Sequence, residues 1–293
     1  MQLRNSPELR RWVVEAFAAG NLGFLAIDIW FAHSMNGFAH RAEWIPFAFS
    51  IVAPVLLLPG LVSGDPSSGV ARRLGWLAGL VSLVVGISGL MWHLHSTFFV
   101  EQTLHNLVYT APFAAPLSYA GLGFLLLLNR TEAPETPDYG QWVTFLAAGG
   151  FAGNFGLALA DHAQNGFFHA SEWLAVLGAA FGFAFLLAAT WAHRERPYLR
   201  ACFWMMGAQL LVGLLGAGLH ARAILAGPSE SLLSNAIHTA PLFAPLLFAD
   251  LALLGSIGLW CSWSSATTYP EAAHGHPKPN EDTFRAPTDP GGG

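Results

Sequence analysis

The feature that most constrains this chain is a series of apolar segments, each long enough to cross a lipid bilayer. The hydrocarbon core needs about 20 apolar residues per helix. Eight segments of this length lie at 12–33, 42–62, 74–95, 105–128, 141–162, 171–192, 200–220 and 235–261. Only 11% of the residues are charged, whereas about a quarter are charged in an average soluble domain. The sequence therefore predicts an all-α polytopic membrane protein with eight transmembrane helices in a lipid bilayer.

Two parts of the sequence repeat each other at a fixed spacing. Residues 33–44 (HSMNGFAHRAEW) and 162–173 (HAQNGFFHASEW) share the pattern H-x-x-N-G-F-x-H-x-x-E-W at an offset of 129. The tripeptide Thr-Ala-Pro at 110–112 recurs at 239–241 with the same offset. Two matching anchors so far apart predict a tandem duplication of a four-helix unit. Because four is an even number, the two units run parallel instead of inverted.

The positions of the basic residues predict how the chain is oriented. Of the 13 Arg and Lys residues, only Arg41 and Arg222 lie on the side of the membrane opposite the two termini. The positive-inside rule then makes both termini cytoplasmic. The predicted organisation is a cytoplasmic N-terminus, a first repeat, a cytoplasmic linker, a second repeat and a disordered cytoplasmic tail. These occupy residues 1–11, 12–128, 129–140, 141–262 and 263–293. We expect a bacterial inner-membrane protein.

Several functional classes lack their sequence signals. The net charge is -5 and no basic block occurs, so nucleic acid is not an expected partner. Two cysteines without CxxC spacing make neither a disulfide framework nor a zinc ribbon. No phosphate-binding loop, dinucleotide fingerprint or hydrolase nucleophile motif occurs.

Histidines and carboxylates gather at the predicted outer ends of the helices, facing the periplasm. Ionisable groups at membrane depth usually mark function, since burying them is costly. Imidazole combined with carboxylate suits iron or copper, and also zinc. The predicted ligands of such a transition-metal centre are His33, His40, Glu43, His93, His95, His105, His162, His169, Glu172, His220 and His238.

The repeated motif also predicts how the ligands meet. His40 and Glu43 are three residues apart on one helical face, and so are His169 and Glu172. Asn-Gly is a turn signal, so His33 is expected to fold back beside His40. Each repeat would then supply two histidines and a carboxylate, as in non-haem iron sites. The alternative is that these residues are hydrated interface groups or cap the helical hairpin.

A second group of residues is expected to support the ligands. Asp28 is predicted to orient an imidazole, while Asp161 is left open between ligand and orienting group. Asn36 and Asn165 are expected to shape the turn, and Tyr109 lies at the position that matches His238. Glu15, near the inner start of the first span, is expected at the membrane interface.

Prolines mark the fourth span of each repeat. Pro112 and Pro116, like Pro241 and Pro245, are four residues apart. Each proline frees a backbone carbonyl, so we expect both helices to be kinked. Such kinks either border a binding site or only bend the helix around a neighbour.

Three functions fit these patterns. The first is a metal centre of iron or copper that acts as a metal-dependent membrane oxidoreductase on a quinol or lipid, or within a respiratory complex with other membrane or periplasmic subunits. The second is a b-type haem protein with axial pairs His93/His105 and His220/His238. The third is a metal or small-solute transporter. The repeated His-x-x-Glu motif favours the first, because haem ligands alone give its glutamates no role.

Overall fold

Helices make up most of the chain that the computed structural model describes, residues 6–192 and 195–268. No strand occurs in these two ranges, and a short 3-10 turn, Arg41–Glu43, precedes the second helix. His193 and the tail beyond residue 268 lie outside the described residues. The helices are α1 Pro7–Ser34, α2 Trp44–Ser63, α3 Gly69–Ser96, α4 Leu104–Val108, α5 Leu117–Thr131, α6 Pro137–Gln164, α7 Glu172–Trp191, α8 Arg196–Leu225, α9 Leu232–His238 and α10 Leu246–Thr268.

Seven of the described helices are long and apolar enough to cross a membrane, namely α1, α2, α3, α6, α7, α8 and α10. The all-helical architecture is confirmed, and these helices fit a polytopic membrane protein. α5 has 15 residues, which is short of the roughly 20 that a span needs.

The structure differs from the prediction at the two proline-containing spans. Each was expected to be a kinked but continuous helix. Instead, residues 109–116 separate α4 from α5, and residues 239–245 separate α9 from α10. Prolines one turn apart remove two backbone donors and clash with two preceding carbonyls, so neither turn closes. We refer to residues 109–116 and 239–245 as the interrupted segments.

The first interrupted segment takes its hydrogen bonds from the end of α3. The Thr110 hydroxyl donates to the His93 carbonyl at 2.6 Å, and the Ala111 amide donates to Ser96 Oγ at 3.1 Å. Non-helical backbone at membrane depth is tolerated only where protein or water satisfies its polar groups. These bonds fix the segment against the helix end that carries His93.

Close helix contacts hold each half together. We call residues 7–131 the first half and residues 137–268 the second half. A Cβ at Gly86 in α3 would lie 2.5 Å from the Ala120 amide in α5, and one at Gly213 in α8 would lie 2.9 Å from the Ala249 amide in α10. Both helix pairs therefore pack backbone against backbone, as small residues allow in membranes.

The interrupted segments also lie where the halves meet. Phe243 packs its ring edge-on against Phe24 and Phe31 of α1, with ring centres 5.1 and 5.5 Å apart. At the other junction, Gln164 Nε2 at the end of α6 donates to the Val108 carbonyl at 2.7 Å. Each half thus contacts the first helix of the other through the region around its prolines.

A buried ion pair ties the opposite end of the first half together. Arg130 donates through Nη2 and Nη1 to the two Glu15 carboxylate oxygens at 2.5 and 3.0 Å, and both side chains are fully buried. Asn129 Nδ2 donates to the same carboxylate at 3.0 Å, and the Tyr139 hydroxyl donates to Asn129 Oδ1 at 2.7 Å. Glu15 is therefore buried inside the protein against a partner 115 positions away, and its expected depth near the membrane interface stays a prediction.

Apolar and small side chains replace this network in the second half. Thr144 and Leu259, 129 residues beyond Glu15 and Arg130, are buried, and the Thr144 hydroxyl donates to the Gly140 carbonyl at 2.8 Å. The two halves therefore share a helix order but differ in the chemistry of this end.

Candidate functional site

The repeated motif forms a tight reversal between α1 and α2. Asn36 Oδ1 accepts a hydrogen bond from the Phe38 amide at 3.1 Å, and the same amide donates to the His33 carbonyl at 3.0 Å. Gly37 and Phe38 have φ values of 66° and 52°, the left-handed region that favours glycine. This turn brings the end of α1 back against the start of α2.

The second half repeats the reversal with the same bonds. The Phe167 amide donates to Asn165 Oδ1 and to the His162 carbonyl, both at 3.0 Å, and Gly166 and Phe167 have φ values of 73° and 53°. Asn36 and Asn165 therefore shape the turn in the positions expected from the sequence.

Aromatic stacking holds the strained phenylalanine in each turn. Phe38 stacks on Trp44 with ring centres 4.3 Å apart, and Phe167 stacks on Trp173 at 4.2 Å. A non-glycine residue at positive φ is costly, and stacked rings recover part of that cost. The Phe and Trp of the motif thus have a structural task that is separate from any ligand.

Each reversal places a glutamate beside the histidine that ends the preceding helix. His33 Nδ1 lies 3.5 Å from Glu43 Oε2, and His162 Nδ1 lies 3.4 Å from Glu172 Oε2. These side chains are only 10–20% exposed. Both Oε2 atoms are buried, and neither has a hydrogen-bond partner among the described residues. An orphaned carboxylate oxygen in the same place in both halves needs an explanation.

A histidine from the third long helix of each half joins this pair. The His93 ring lies with its centre 6.3 Å from that of His33, and His220 lies within electrostatic range of His162. His93 Nδ1 donates to the Pro112 carbonyl at 2.7 Å, and His220 Nδ1 donates to the Pro241 carbonyl at 2.7 Å. A carbonyl only accepts, so Nδ1 carries a proton, and a ring with no second proton has its lone pair on Nε2.

The structure therefore assembles a trio whose second histidine comes from the third long helix of each half. The approach of His33 to His40 stays a prediction. The His40 ring is exposed, and His40 contributes its backbone carbonyl, which accepts the Glu43 amide at 3.0 Å. His169 is exposed in the same way and accepts the Glu172 amide at 3.0 Å. We call His33, Glu43 and His93, with their counterparts His162, Glu172 and His220, the two His–Glu–His clusters.

The remaining predicted ligands are exposed and make other contacts. His95 faces Phe99 with ring centres 6.5 Å apart. His105 lies 4.6 Å from the Tyr109 ring. His238 Nδ1 donates to the Ser234 carbonyl of its own helix at 2.9 Å. Among the described residues, no hydrogen bond or ring contact joins these three histidines to the clusters.

The predicted supporting residues divide in the same way. Asn36 Nδ2 donates to Glu43 Oε1 at 3.0 Å, which fixes that carboxylate while leaving Oε2 free. Asp28 lies near Tyr119, to which it couples electrostatically, and Tyr119 donates to the Pro46 carbonyl at 3.0 Å. Asp161 is half-buried in the last turns of α6.

The distances stop short of a closed metal site. Among the residues that the structure describes, no group of three or more His, Cys, Asp or Glu side chains has the spacing of a metal-binding set. Two imidazoles on one metal place their ring centres about 5–6 Å apart, and the 6.3 Å between His33 and His93 lies just beyond that span.

The link between His93 and the Pro112 carbonyl is the part that the sequence did not predict. In the sequence, the histidines at the helix ends and the prolines in the fourth span are two separate signals with no predicted contact between them. Both halves show them as one arrangement, in which the interrupted segment supplies the carbonyl that orients the imidazole.

Comparisons with known proteins add no assignment. No family model, curated protein or solved structure matches this chain.

Proposed function

We propose that this is an integral membrane protein that binds a transition-metal ion in each half, at the His–Glu–His clusters. The observation that carries the proposal is the separation of 3.5 and 3.4 Å between a histidine Nδ1 and an orphaned glutamate oxygen. Both distances exceed the usual N–H···O range of about 2.7–3.2 Å. Two ligands on one metal, with bonds of about 2.0–2.1 Å at a tetrahedral angle, lie about 3.3 Å apart.

The third histidine supports the same reading. Metal-binding histidines usually donate their other ring N–H to a carboxylate or a backbone carbonyl, which fixes the ring and its tautomer. His93 and His220 make this bond to Pro112 and Pro241. Their Nε2 atoms are the ligating atoms in the proposal, and Asn36 holds Glu43 from the other side.

Two further parts of the proposal rest on the sequence. The matching anchors at an offset of 129 support the proposal that the halves are tandem parallel repeats, and the similar turn geometry agrees with it. The distribution of basic residues supports the proposal that both termini are cytoplasmic and that the clusters face the periplasm of a bacterial inner membrane.

The mixed nitrogen and oxygen donors suit iron, copper or zinc. With iron or copper the site is a redox centre, and a quinol, a lipid or a neighbouring respiratory subunit is the proposed reaction partner. His40, His95, His105, His169 and His238 stay candidate ligands on sequence grounds alone.

Metal analysis of the purified full chain tests the proposal. The protein is stripped with a chelator, reloaded separately with Fe²⁺, Cu²⁺ or Zn²⁺, and assayed for bound metal after desalting. We expect one ion per half and loss of both in the variant His33→Ala with His162→Ala. The matched control is His40→Ala with His169→Ala, which removes two exposed imidazoles from the same turns and is expected to retain the metal.

Two outcomes would overturn the assignment. If the stripped protein binds none of the three metals, the clusters are not metal sites and each His–Glu contact belongs to the turn alone. If the control variant loses the metal while the His33 and His162 variant keeps it, the ligands are His40 and His169. An absorption band of haem near 400 nm would support the b-type haem reading instead.

A further inference from the structure

The end of the second half that carries the N-terminus of α8 has an open groove unconnected with the histidines. Its walls are Arg200 and Phe203 of α8 and Trp260 and Trp263 of α10, and its volume is about 300 Å³. Phe203, Trp260 and Trp263 are half-buried, so their inner edges pack on the core while their outer edges line the groove. The groove is apolar except for the arginine at its rim.

Two arginines share one tryptophan at this rim. The guanidinium carbons of Arg196 and Arg200 lie 5.2 and 5.7 Å from the centre of the Trp263 ring. Both distances are within the range of a cation–π contact. The two residues are one helical turn apart, so their like charges lie on the same face of α8.

The guanidinium N–H groups of Arg196 and Arg200 have no carboxylate partner among the described residues. Both are exposed, and no carboxylate in the described residues lies within ion-pair distance of either. Stacking on Trp263 uses the guanidinium faces and leaves the N–H groups at the edges free to donate. Guanidinium groups donate in pairs to phosphate oxygens, which makes arginine a preferred phosphate ligand.

The height of the groove in the membrane indicates what kind of phosphate it meets. Arg196 begins one apolar helix of spanning length, α8, and Trp263 lies within the last two turns of another, α10. Tryptophan and arginine at the ends of spanning helices lie at the level of the lipid headgroups. A ligand here presents its phosphate at the rim and its acyl chain to the aromatic wall below.

We propose that this groove is a binding site for an anionic phospholipid, with the phosphate held by Arg196 and Arg200 and an acyl chain against Phe203 and Trp260. Basic clusters beside membrane helices bind anionic headgroups in this way. The site does not depend on the metal clusters.

The first half supplies a matched control. Arg72 and Arg73 lie in the second turn of α3 and are also exposed, but α5 contains no tryptophan. Arg72→Gln with Arg73→Gln therefore removes the same charge as Arg196→Gln with Arg200→Gln without touching the groove.

The test is lipid binding to the purified full chain in detergent, measured by native mass spectrometry with phosphatidylglycerol or phosphatidylcholine added. We expect phosphatidylglycerol to be retained in preference, and its affinity to fall about tenfold or more in Arg196→Gln with Arg200→Gln but less than about twofold in the control. Trp263→Ala is expected to weaken binding, and Arg196→Lys with Arg200→Lys to recover only part of it. Circular dichroism confirms that each variant is folded.

Three results would overturn the proposal. Equal losses in the two arginine pairs would show a general charge effect. Full competition by inorganic phosphate would show an anion site that does not recognise a lipid. Equal retention of the two lipids would show that the groove holds acyl chains without reading the headgroup.

Discussion

The buried ion pair of the first half allows a quantitative test, because the second half shows how the same position is filled without charge. Glu15→Thr alone leaves the Arg130 guanidinium fully buried without its carboxylate. Removing one partner of a buried pair costs about 3–5 kcal/mol of unfolding free energy. Adding Arg130→Leu gives the first half the residues found at the matching positions of the second half, Thr144 and Leu259, which are buried there. Asn129 keeps two partners, since Nδ2 also donates to the Arg11 carbonyl and Oδ1 accepts from Tyr139.

A third residue, Gly75, provides the space that the Arg130 guanidinium occupies. A Cβ at Gly75 would lie 1.6 Å from Arg130 Nη2, so the absence of a side chain there is what admits the arginine. Gly86 and Gly213 make the same contacts at an offset of 127, and this offset pairs Gly75 with Cys202. Cys202 is fully buried. In the second half a cysteine side chain therefore lies where α3 leaves room for an arginine.

These relations predict that Gly75→Cys changes the free energy of unfolding with opposite signs in two backgrounds. Gly75→Cys in the wild-type chain displaces Arg130 and is expected to cost about 3 kcal/mol or more, by the same loss of the pair. In the chain that already carries Glu15→Thr and Arg130→Leu, Gly75→Cys fills a cavity and is expected to stabilise by about 1 kcal/mol. The coupling free energy between Gly75→Cys and the changes at Glu15 and Arg130 is expected to be large, because the three positions contribute to one packed space.

Equilibrium unfolding in mixed micelles, followed by circular dichroism as the denaturing detergent is raised, measures each free energy. The series needs wild type, the single changes, the double change and the triple change. Equal costs for Gly75→Cys in the two backgrounds would refute the reasoning. So would a double change that costs as much as the two single changes together.

Two further predictions concern the turns. A methyl group at Gly37 meets no atom within 4 Å, but the residue has φ at 66°, so Gly37→Ala is expected to destabilise the protein by about 1–2 kcal/mol. Gly20→Ala, also in open space but inside α1, is expected to be neutral or to stabilise by up to about 1 kcal/mol. Melting temperatures in detergent compare the two variants, and changes of the same sign would contradict the turn argument. Asp65, between α2 and α3, has a pKa below its ordinary 3.8 because the Ser67 hydroxyl and amide donate to its carboxylate at 2.6 and 2.9 Å. The stabilisation that the Asp65 carboxylate provides is therefore complete above pH 3.8 and is lost as the pH falls through the lowered pKa. The melting-temperature difference between wild type and Asp65→Asn should then shrink from pH 6 to pH 3. A constant difference would refute this prediction.

The helical class and the apolar helices could be predicted from the sequence because they depend on local composition alone. The carboxylate beside His33 was within reach for the same reason, since Glu43 is ten residues away across a turn with an Asn-Gly signal. His93 was not, because its place beside His33 depends on how α3 packs in the bundle. Two prolines one turn apart predict a kink from the sequence, but together they remove enough bonds to end the helix.

The Glu15–Arg130 pair shows a different limit. Each residue alone resembles an interface residue at the end of an apolar span, and nothing local distinguishes that from burial. The signal was the combination of an acid, a base 115 positions away and a glycine at 75 that leaves the space between them. Only a packed arrangement of α1, α3 and α5 joins the three.

The contrast between the two ends of the bundle separates what the fold requires from what it does not. The second half folds into the same helix order with Thr144, Cys202 and Leu259 in place of the ion pair, so that pair is not needed for this helix order. At the other end the halves agree to within about 0.1 Å in the His–Glu separation and share the 2.7 Å bond from histidine to a proline carbonyl. The turn and its stacked aromatic pair account for the path of the chain there, but they do not require imidazoles from α3 and α8 or an orphaned carboxylate oxygen. Those are the groups that the fold leaves unexplained, and the proposed cation would account for both of them in each half.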